Sequence, residues 1–408
     1  MISSTMDPRI EREKAEGFLR NSTPAILCGL TGFLSAFTIS LVGLLPIGEL
    51  ILLLVCPWSL AGLIKTKRWQ SRIQQLSWYK LLLIALGLSA LGYVSSDLYR
   101  GTPNIYMLRG WARISFLVID VIAVAHLINR SWVRLRIFIF AFFIGGVTNA
   151  LLTGPLFEHW WEFGVGAPLT GIALYVVGGL PAFIQMGVAA IIGTTSIVLG
   201  ARSLGGIALL SGVLYGVRFA HGAKRPLIFL AAAGAMVVMV IAAQQSMREN
   251  PDKVTSNIER TSMVETASEL FIGSPIVGQG TWYASSRMMR RIEENRQARD
   301  PRFHGYTEEE ASKLTIHSQI LTALSEGGIF GGAFFLVYGA LILKTLRTLT
   351  KYPVPHREFV LYLLMDGLWN LCMSPFSGSS RVSIALVVCT ALLVILQRQD
   401  ELSDDYRE

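Results

Sequence analysis

Charge is what this chain has least of. Of its 408 residues only 16% are Asp, Glu, Lys or Arg, while 52% are hydrophobic; soluble domains carry about 25% charged residues. A deficit of that size, repeated over long apolar runs, excludes an ordinary soluble globule and points to an all-α polytopic membrane protein. Cysteine is scarce too. Cys28, Cys56, Cys372 and Cys389 all fall in or beside apolar runs, lack metal-ligand spacing and argue against a disulfide framework. No cleavable signal peptide is visible. The first 23 residues are polar and carry Arg9, Arg12, Lys14 and Arg20, so the first span is expected to act as its own uncleaved signal. The net charge of +8 is read as cationic loops that orient the chain in a membrane, with membrane lipids and no nucleic acid as partners.

Apolar runs predict about twelve transmembrane helices: 24–42, 44–64, 79–95, 113–129, 135–152, 166–180, 182–199, 204–219, 226–243, 318–344, 358–374 and 382–397. Gly178-Gly179-Leu180-Pro181 marks the turn between the sixth and seventh. Basic residues support the count. Lys65, Lys67, Arg68 and Arg72, then Arg130, Arg134 and Arg136, then Arg218, Lys224 and Arg225, then Lys344, Arg347, Lys351 and Arg357 all fall on one side with the N-terminus. That side is cytoplasmic by the positive-inside rule, with both termini there. Three units follow: residues 1–243 with nine spans, a large external loop over 244–316, and residues 317–408 with three spans and a cytoplasmic tail.

The loop Gln244 to Ile316 is the one extended hydrophilic stretch. Ile258 to Leu270 has helical spacing, with Ile258, Met263, Ala267 and Leu270 for an apolar face. Pro275 to Tyr283 (P-I-V-G-Q-G-T-W-Y) reads as a glycine-rich turn, or as an anion-binding nest of backbone amides. Ser286 to Arg302 holds six arginines against Glu293, Glu294 and Asp300. Either they pair among themselves or they meet an acidic glycan or anionic lipid. The loop ends on T-I-H-S-Q-I-L-T-A-L-S-E-G-G-I-F-G, Thr315 to Gly331, expected to run on as one helix. His317 would then hang at the membrane–water boundary. Three external arginines stand at or near span ends, Arg202, Arg260 and Arg381. Each is either a snorkelling anchor or a fork for phosphate oxygens. Along a straight helix Glu326 lies about 13 Å deeper than His317, facing away from it; it is expected to pair within the bundle, as are Glu49 and Asp366. Gly327, Gly328, Gly331 and Gly332 permit close helix packing. Trp160, Trp161 and Trp282 are interfacial anchors or sugar-stacking platforms.

H-S-Q-I-L-T-A-L-S-E-G-G-I-F-G resembles the signature of the O-antigen ligase and polymerase superfamily, in which a histidine is followed by E-x-G-x-x-G. S-P-I-V-G-Q-G-T-W resembles its P-x-x-G-x-G segment, and G-A-R-S-L-G-G its arginine motif opening a span. The resemblance covers about Gly200 to Gly332, with Ser318 where the family often has asparagine. It implies a GT-C type fold, no cofactor, and a metal-independent, inverting transfer at the periplasmic face of the bacterial inner membrane. The donor it implies is a glycan on undecaprenyl pyrophosphate. It puts His317 in the catalytic position and Arg202 and Arg260 in the pyrophosphate-binding positions, with Arg381, Glu326 and Trp282 as further candidates.

An imidazole titrates near the working pH and can take the proton of an attacking sugar hydroxyl, and guanidinium groups can stabilise the departing pyrophosphate. Two enzymes share that chemistry. One is a polymerase of lipid-linked repeat units for an O-antigen or exopolysaccharide; the other is a ligase that transfers finished glycan to lipid A–core. The polymerase is favoured by the S-P-I-V-G-Q-G-T-W and H-S-Q variants, the ligase by the arginine cluster. A lipid-linked glycan transporter is the third reading, weakened by the lack of internal repeats and midplane polar sites.

Overall fold

A computed structural model describes residues 22–40, 44–64, 72–153, 160–217, 234, 251–281, 286–307, 316–349, 351–352 and 354–405. The span expected over 226–243 lies outside the described residues apart from Gly234, as do Trp282 and Gln244 to Asn250. The rest is helical, with one small hairpin. The helices are α1 (Ser22–Leu34), α2 (Ile47–Ile64), α3 (Arg72–Gln75), α4 (Ser77–Arg100), α5 (Asn104–Ile128), α6 (Trp132–Thr153), α7 (Gly166–Val177), α8 (Ala182–Val198) and α9 (Arg202–Val217). The loop contributes α10 (Pro251–Gly273) and α11 (Ser286–Arg299), and α12 (Gln319–Leu349), α13 (Arg357–Met373) and α14 (Gly378–Asp405) follow.

Five helical stretches are long and apolar enough to cross a membrane among the described residues: Ser77–Arg100, Asn104–Ile128, Trp132–Thr153, Gln319–Leu349 and Ser380–Glu401. Shorter apolar helices accompany them. The first expected span, 24–42, is cut short. Thr38–Ser40 pairs antiparallel with Leu44–Pro46, so a hairpin separates α1 from α2. The β-branched Thr38 and Ile39 favour that extended backbone.

Local sequence explains most helix ends. Gly101 closes α4 in the left-handed conformation (φ 62°), its N–H donating to the Asp97 carbonyl, and Pro103 stands at the start of α5. The turn expected at Gly178–Pro181 separates α7 from α8. Gly200, at φ 92°, turns the chain between α8 and α9. α14 is the central post: 83% of its apolar window is buried, against 28% for α6. α5, α12 and α13 pack around it, and α4 packs on α12. Large apolar side chains left outside, such as Trp58, Ile84, Leu91 and Val198, give an outer face suited to lipid.

α12 does not run straight. Gly328 breaks it at φ 65°, ψ −159°. A Cβ on Gly331 would stand 2.6 Å from the Ala323 carbonyl oxygen, and one on Gly332 would stand 2.4 Å from Leu324 Cδ2. Residues 323 and 331 of an unbroken helix are about 12 Å apart along its axis. The two halves, 319–327 and 329–349, therefore lie side by side as a helical hairpin. This corrects the expected continuous helix. Glu326 sits at the bend, and His317 lies at the far end of the first half, sunk back along the second. The four glycines do permit close packing, of the helix against itself.

Candidate active site at the folded-back helix

Breaking a helix frees backbone groups that apolar surroundings cannot satisfy. The segment Pro275–Gly280 supplies them. Gln279 N–H donates to the Ser325 carbonyl (2.8 Å), Gly280 N–H to the Glu326 carbonyl (3.0 Å), and Ile329 N–H to the Pro275 carbonyl (2.8 Å). Ser96 Oγ, from α4, donates to the same Glu326 oxygen (2.7 Å) and accepts from Gly280 N–H (2.8 Å). Arg100 closes the other side through two donors to the Gly278 carbonyl (3.0 and 2.8 Å). Asp97 accepts from Thr281 Oγ1 (2.9 Å) and Trp111 Nε1 (2.9 Å). Of the two readings of P-I-V-G-Q-G, the backbone amides of Gln279 and Gly280 are thus engaged with helix carbonyls.

The first half of α12 begins on a side-chain cap. Ser318 Oγ accepts from Leu321 N–H (3.2 Å) and lies 3.5 Å from the Leu371 carbonyl. Serine is a strong N-cap, and Ser318 fills that role here. His317 immediately precedes that cap and is half-buried. Burial lowers its pKa below the ordinary 6.5, and the positive charge of Arg260 lowers it further. The imidazole is consequently neutral near pH 7, with a lone pair available for a proton.

Arg260 extends from α10, which packs on α12 through Met263, Ala267 and Leu270 against Ile316 and Leu321. The helical spacing of Ile258 to Leu270 therefore does bury an apolar face. Arg202 opens α9, a helix packed on α7, α8 and α13. Arg381 turns inward. Its Nε and Nη2 donate to the two carboxylate oxygens of Glu49 (2.8 and 2.6 Å), and it is 5% exposed. The charge of Arg260 thus acts on His317, while Arg381 is committed to Glu49.

Glu326 finds its partner in Arg113 of α5, whose guanidinium also lies 4.9 Å from the Phe376 ring centroid. Arg113 escaped the sequence reading. Its one signal was the requirement that a carboxylate in an apolar run have a cation. Asp366 accepts from Asn370 Nδ2 (2.8 Å). Four arginines of α11 are paired: Arg296 with Glu259, Arg299 with Glu265, and Arg290 and Arg291 with Glu294. Trp160 and Trp161 stack edge to face, and Trp161 Nε1 donates to Ser196 Oγ (3.0 Å).

A polar cavity of about 340 Å³ opens two residues beyond His317, lined by Gln319, Tyr338, Asn370 and serines of the α13–α14 connection. Gln319 and Tyr338 share it because the helix folds back. A second cleft, of about 460 Å³ and faced by Phe142, Phe143 and Pro168, meets it at Ser383.

Residues 180–336 match the family model described as O-antigen ligase. The chain carries an O-antigen ligase family domain. The matched segment holds Arg202, Arg260, the Pro275–Gly280 plug, His317 and the whole bend at Gly328. No curated protein matches the chain. The match supports an enzyme of the O-antigen ligase and polymerase type, a glycosyltransferase-like family that implies lipid-linked glycan substrates, and the apolar helices suit a membrane protein.

Proposed function

We propose that the chain transfers a glycan from undecaprenyl pyrophosphate to a sugar hydroxyl at the periplasmic face of the bacterial inner membrane, with inversion and without a divalent metal, as a polymerase of lipid-linked repeat units. The observation that carries the reading is the half-buried His317 at the capped start of a folded-back helix, beside Arg260 and inside the family-matched segment. In the proposed step the acceptor oxygen bonds to the anomeric carbon as the bond from that carbon to the pyrophosphate oxygen breaks. The bonding pair leaves on the pyrophosphate, and the hydroxyl proton passes to neutral His317. Arg260 and Arg202 meet the growing negative charge, in a site screened from water by the loop helices. One displacement at the anomeric carbon inverts it. The side assignment rests on the positive-inside rule applied to the basic connections of the sequence.

Polymerase is preferred to ligase for a specific reason. The arginine cluster of α11, which would suit a phosphate-rich core acceptor, is largely committed to Glu259, Glu265 and Glu294. Replacing His317 by alanine in cells that depend on this protein for glycan assembly tests the enzyme reading, with a loss on the order of 10² to 10⁴ in product expected. Single repeat units on the lipid carrier mark a polymerase. Long glycan stranded on that carrier marks a ligase, and an unchanged glycan ladder defeats both.

A further inference from the structure

The cavity lined by Gln319, two residues past His317, has a construction that the transfer chemistry alone does not require. Gln319 is 1% exposed, and neither its amide nitrogen nor its amide oxygen has a hydrogen-bond partner among the described residues. A buried primary amide offers two donors and an acceptor, and leaving all of them unmet is costly. Both atoms belong to a side chain that lines the cavity. Facing it are Tyr338, Asn370, Ser374, Ser377 and Ser383. Two of these are already ordered: Asn370 Nδ2 donates to Asp366, and Ser374 Oγ donates to Asn370 Oδ1 (2.7 Å). No lysine, arginine, aspartate or glutamate is among the lining residues. The volume of about 340 Å³ falls at the small end of the range typical for ligand pockets, about 300 to 1,000 Å³.

Chemistry selects the occupant. Phosphate and carboxylate call for guanidinium or ammonium groups, absent from this wall. A hydrocarbon chain would leave the Gln319 amide unmet. A neutral ring bearing several hydroxyls, each both donor and acceptor, matches amide and serine groups on all sides. We propose that this cavity is the acceptor subsite, holding one uncharged sugar ring whose attacking hydroxyl points to His317, with Gln319 as the residue that fixes its orientation. The diphosphate then occupies the Arg260 side and the acceptor ring the Gln319 side. Most of the cavity wall, Tyr338 to Ser383, lies beyond the family-matched segment, so this wall is a place where sugar preference can vary. The inference rests on the enzymatic reading of His317, and its test is a binding measurement that does not need turnover.

The full-length protein in lipid nanodiscs is titrated to millimolar concentration with methyl glucoside, methyl galactoside and methyl mannoside, and separately with inorganic pyrophosphate. Binding is read by saturation-transfer NMR. At least one glycoside is expected to bind the wild type. Gln319→Leu is expected to weaken it on the order of tenfold, the cost of one or two lost buried hydrogen bonds, while leaving pyrophosphate binding in place. Ser377→Val, at another lining residue, is the second variant should Gln319→Leu fail to fold, and is expected to act in the same direction. His317→Ala is expected to keep glycoside binding. No glycoside binding by the wild type, binding indifferent to both wall variants, or displacement of the glycoside by pyrophosphate would each overturn the subsite. Normal glycan assembly by His317→Ala with Gln319-dependent glycoside binding intact would instead sink the catalytic reading and leave the sugar site standing.

Discussion

Gly278 and Gly328 sit back to back, each in the left-handed region (φ 78° and 65°), and each occupies the space a Cβ on the other would need. A Cβ on Gly278 would lie 2.5 Å from the Gly328 nitrogen, and one on Gly328 would lie 3.0 Å from the Gly278 nitrogen and 2.2 Å from the Ile276 carbonyl oxygen. The two glycine motifs of the sequence are thus halves of one joint: one breaks the helix and the other fills the break. Gly278→Ala and Gly328→Ala each combine backbone strain with a clash against main chain, which cannot rotate away. Each is expected to cost about 2 to 4 kcal/mol. Melting temperature in detergent should fall for both, with glycan assembly lost in parallel. A variant that melts like the wild type would show that the joint can form without one of its glycines.

Glu326 and Arg113 make a second prediction, about stability rather than chemistry. Glu326 is nearly fully buried and Arg113 mostly so. Removing one partner of a buried pair strands the other charge and typically costs about 3 to 5 kcal/mol, whereas replacing both by apolar side chains is often close to neutral. Arg113→Met and Glu326→Met should each lower the melting temperature sharply, and the double variant should recover most of the loss. If the double variant melts no higher than the worse single one, the pair's value lies in its hydrogen bonds to Tyr93 and the Phe376 carbonyl.

These two joints mark the line between what the residues announced and what they concealed. The long apolar runs gave α4, α5, α6, α12 and α14, because hydrophobic length is a local property. The His317 motif and the helix over Ile258 to Leu270 were equally legible. The fold-back was not. Hydropathy averages across Gly327-Gly328 and continues, and the groups that stabilise the break arrive from about fifty residues upstream and from α4. The fate of Arg381 was hidden because its partner, Glu49, lies 332 positions away. Charges near span ends look alike in sequence whether they face solvent or a distant carboxylate.

Within α11, two arginines of identical type should behave differently. Arg296 is largely buried, pairs with Glu259, and stacks over the rings of Phe303 (4.0 Å) and Tyr306 (4.8 Å). Arg290 points to solvent with its side chain 74% exposed. Arg296→Ala is expected to loosen the α10–α11 pair by about 1 to 3 kcal/mol, through lost stacking and a partly stranded Glu259. Arg290→Ala should change stability by less than about 0.5 kcal/mol. Limited proteolysis of the loop reads the difference. If Arg290→Ala leaves the loop intact but abolishes glycan transfer, the exposed arginines contact substrate and the ligase reading regains its support.

The position of His317 fixes the sign of the pH response. Its pKa is held below the ordinary 6.5, first by burial and second by the charge of Arg260. A general base works only while unprotonated, so transfer should be flat around neutrality and fall only below pH 6.5. The folded state also binds this proton less readily than the unfolded chain does, so its contribution to stability is present above the unfolded value near 6.5 and is lost as pH falls from there through the lower folded value. Arg260→Gln removes the smaller of the two causes. The acid limb of kcat/KM should then move upward in pH, toward 6.5 without passing it, because burial remains. Donor KM should rise at every pH if the same guanidinium also holds the pyrophosphate. An acid limb that stays put in Arg260→Gln would mean that the limb reports a group other than His317. A limb that moves with donor KM unchanged would confine Arg260 to tuning the base.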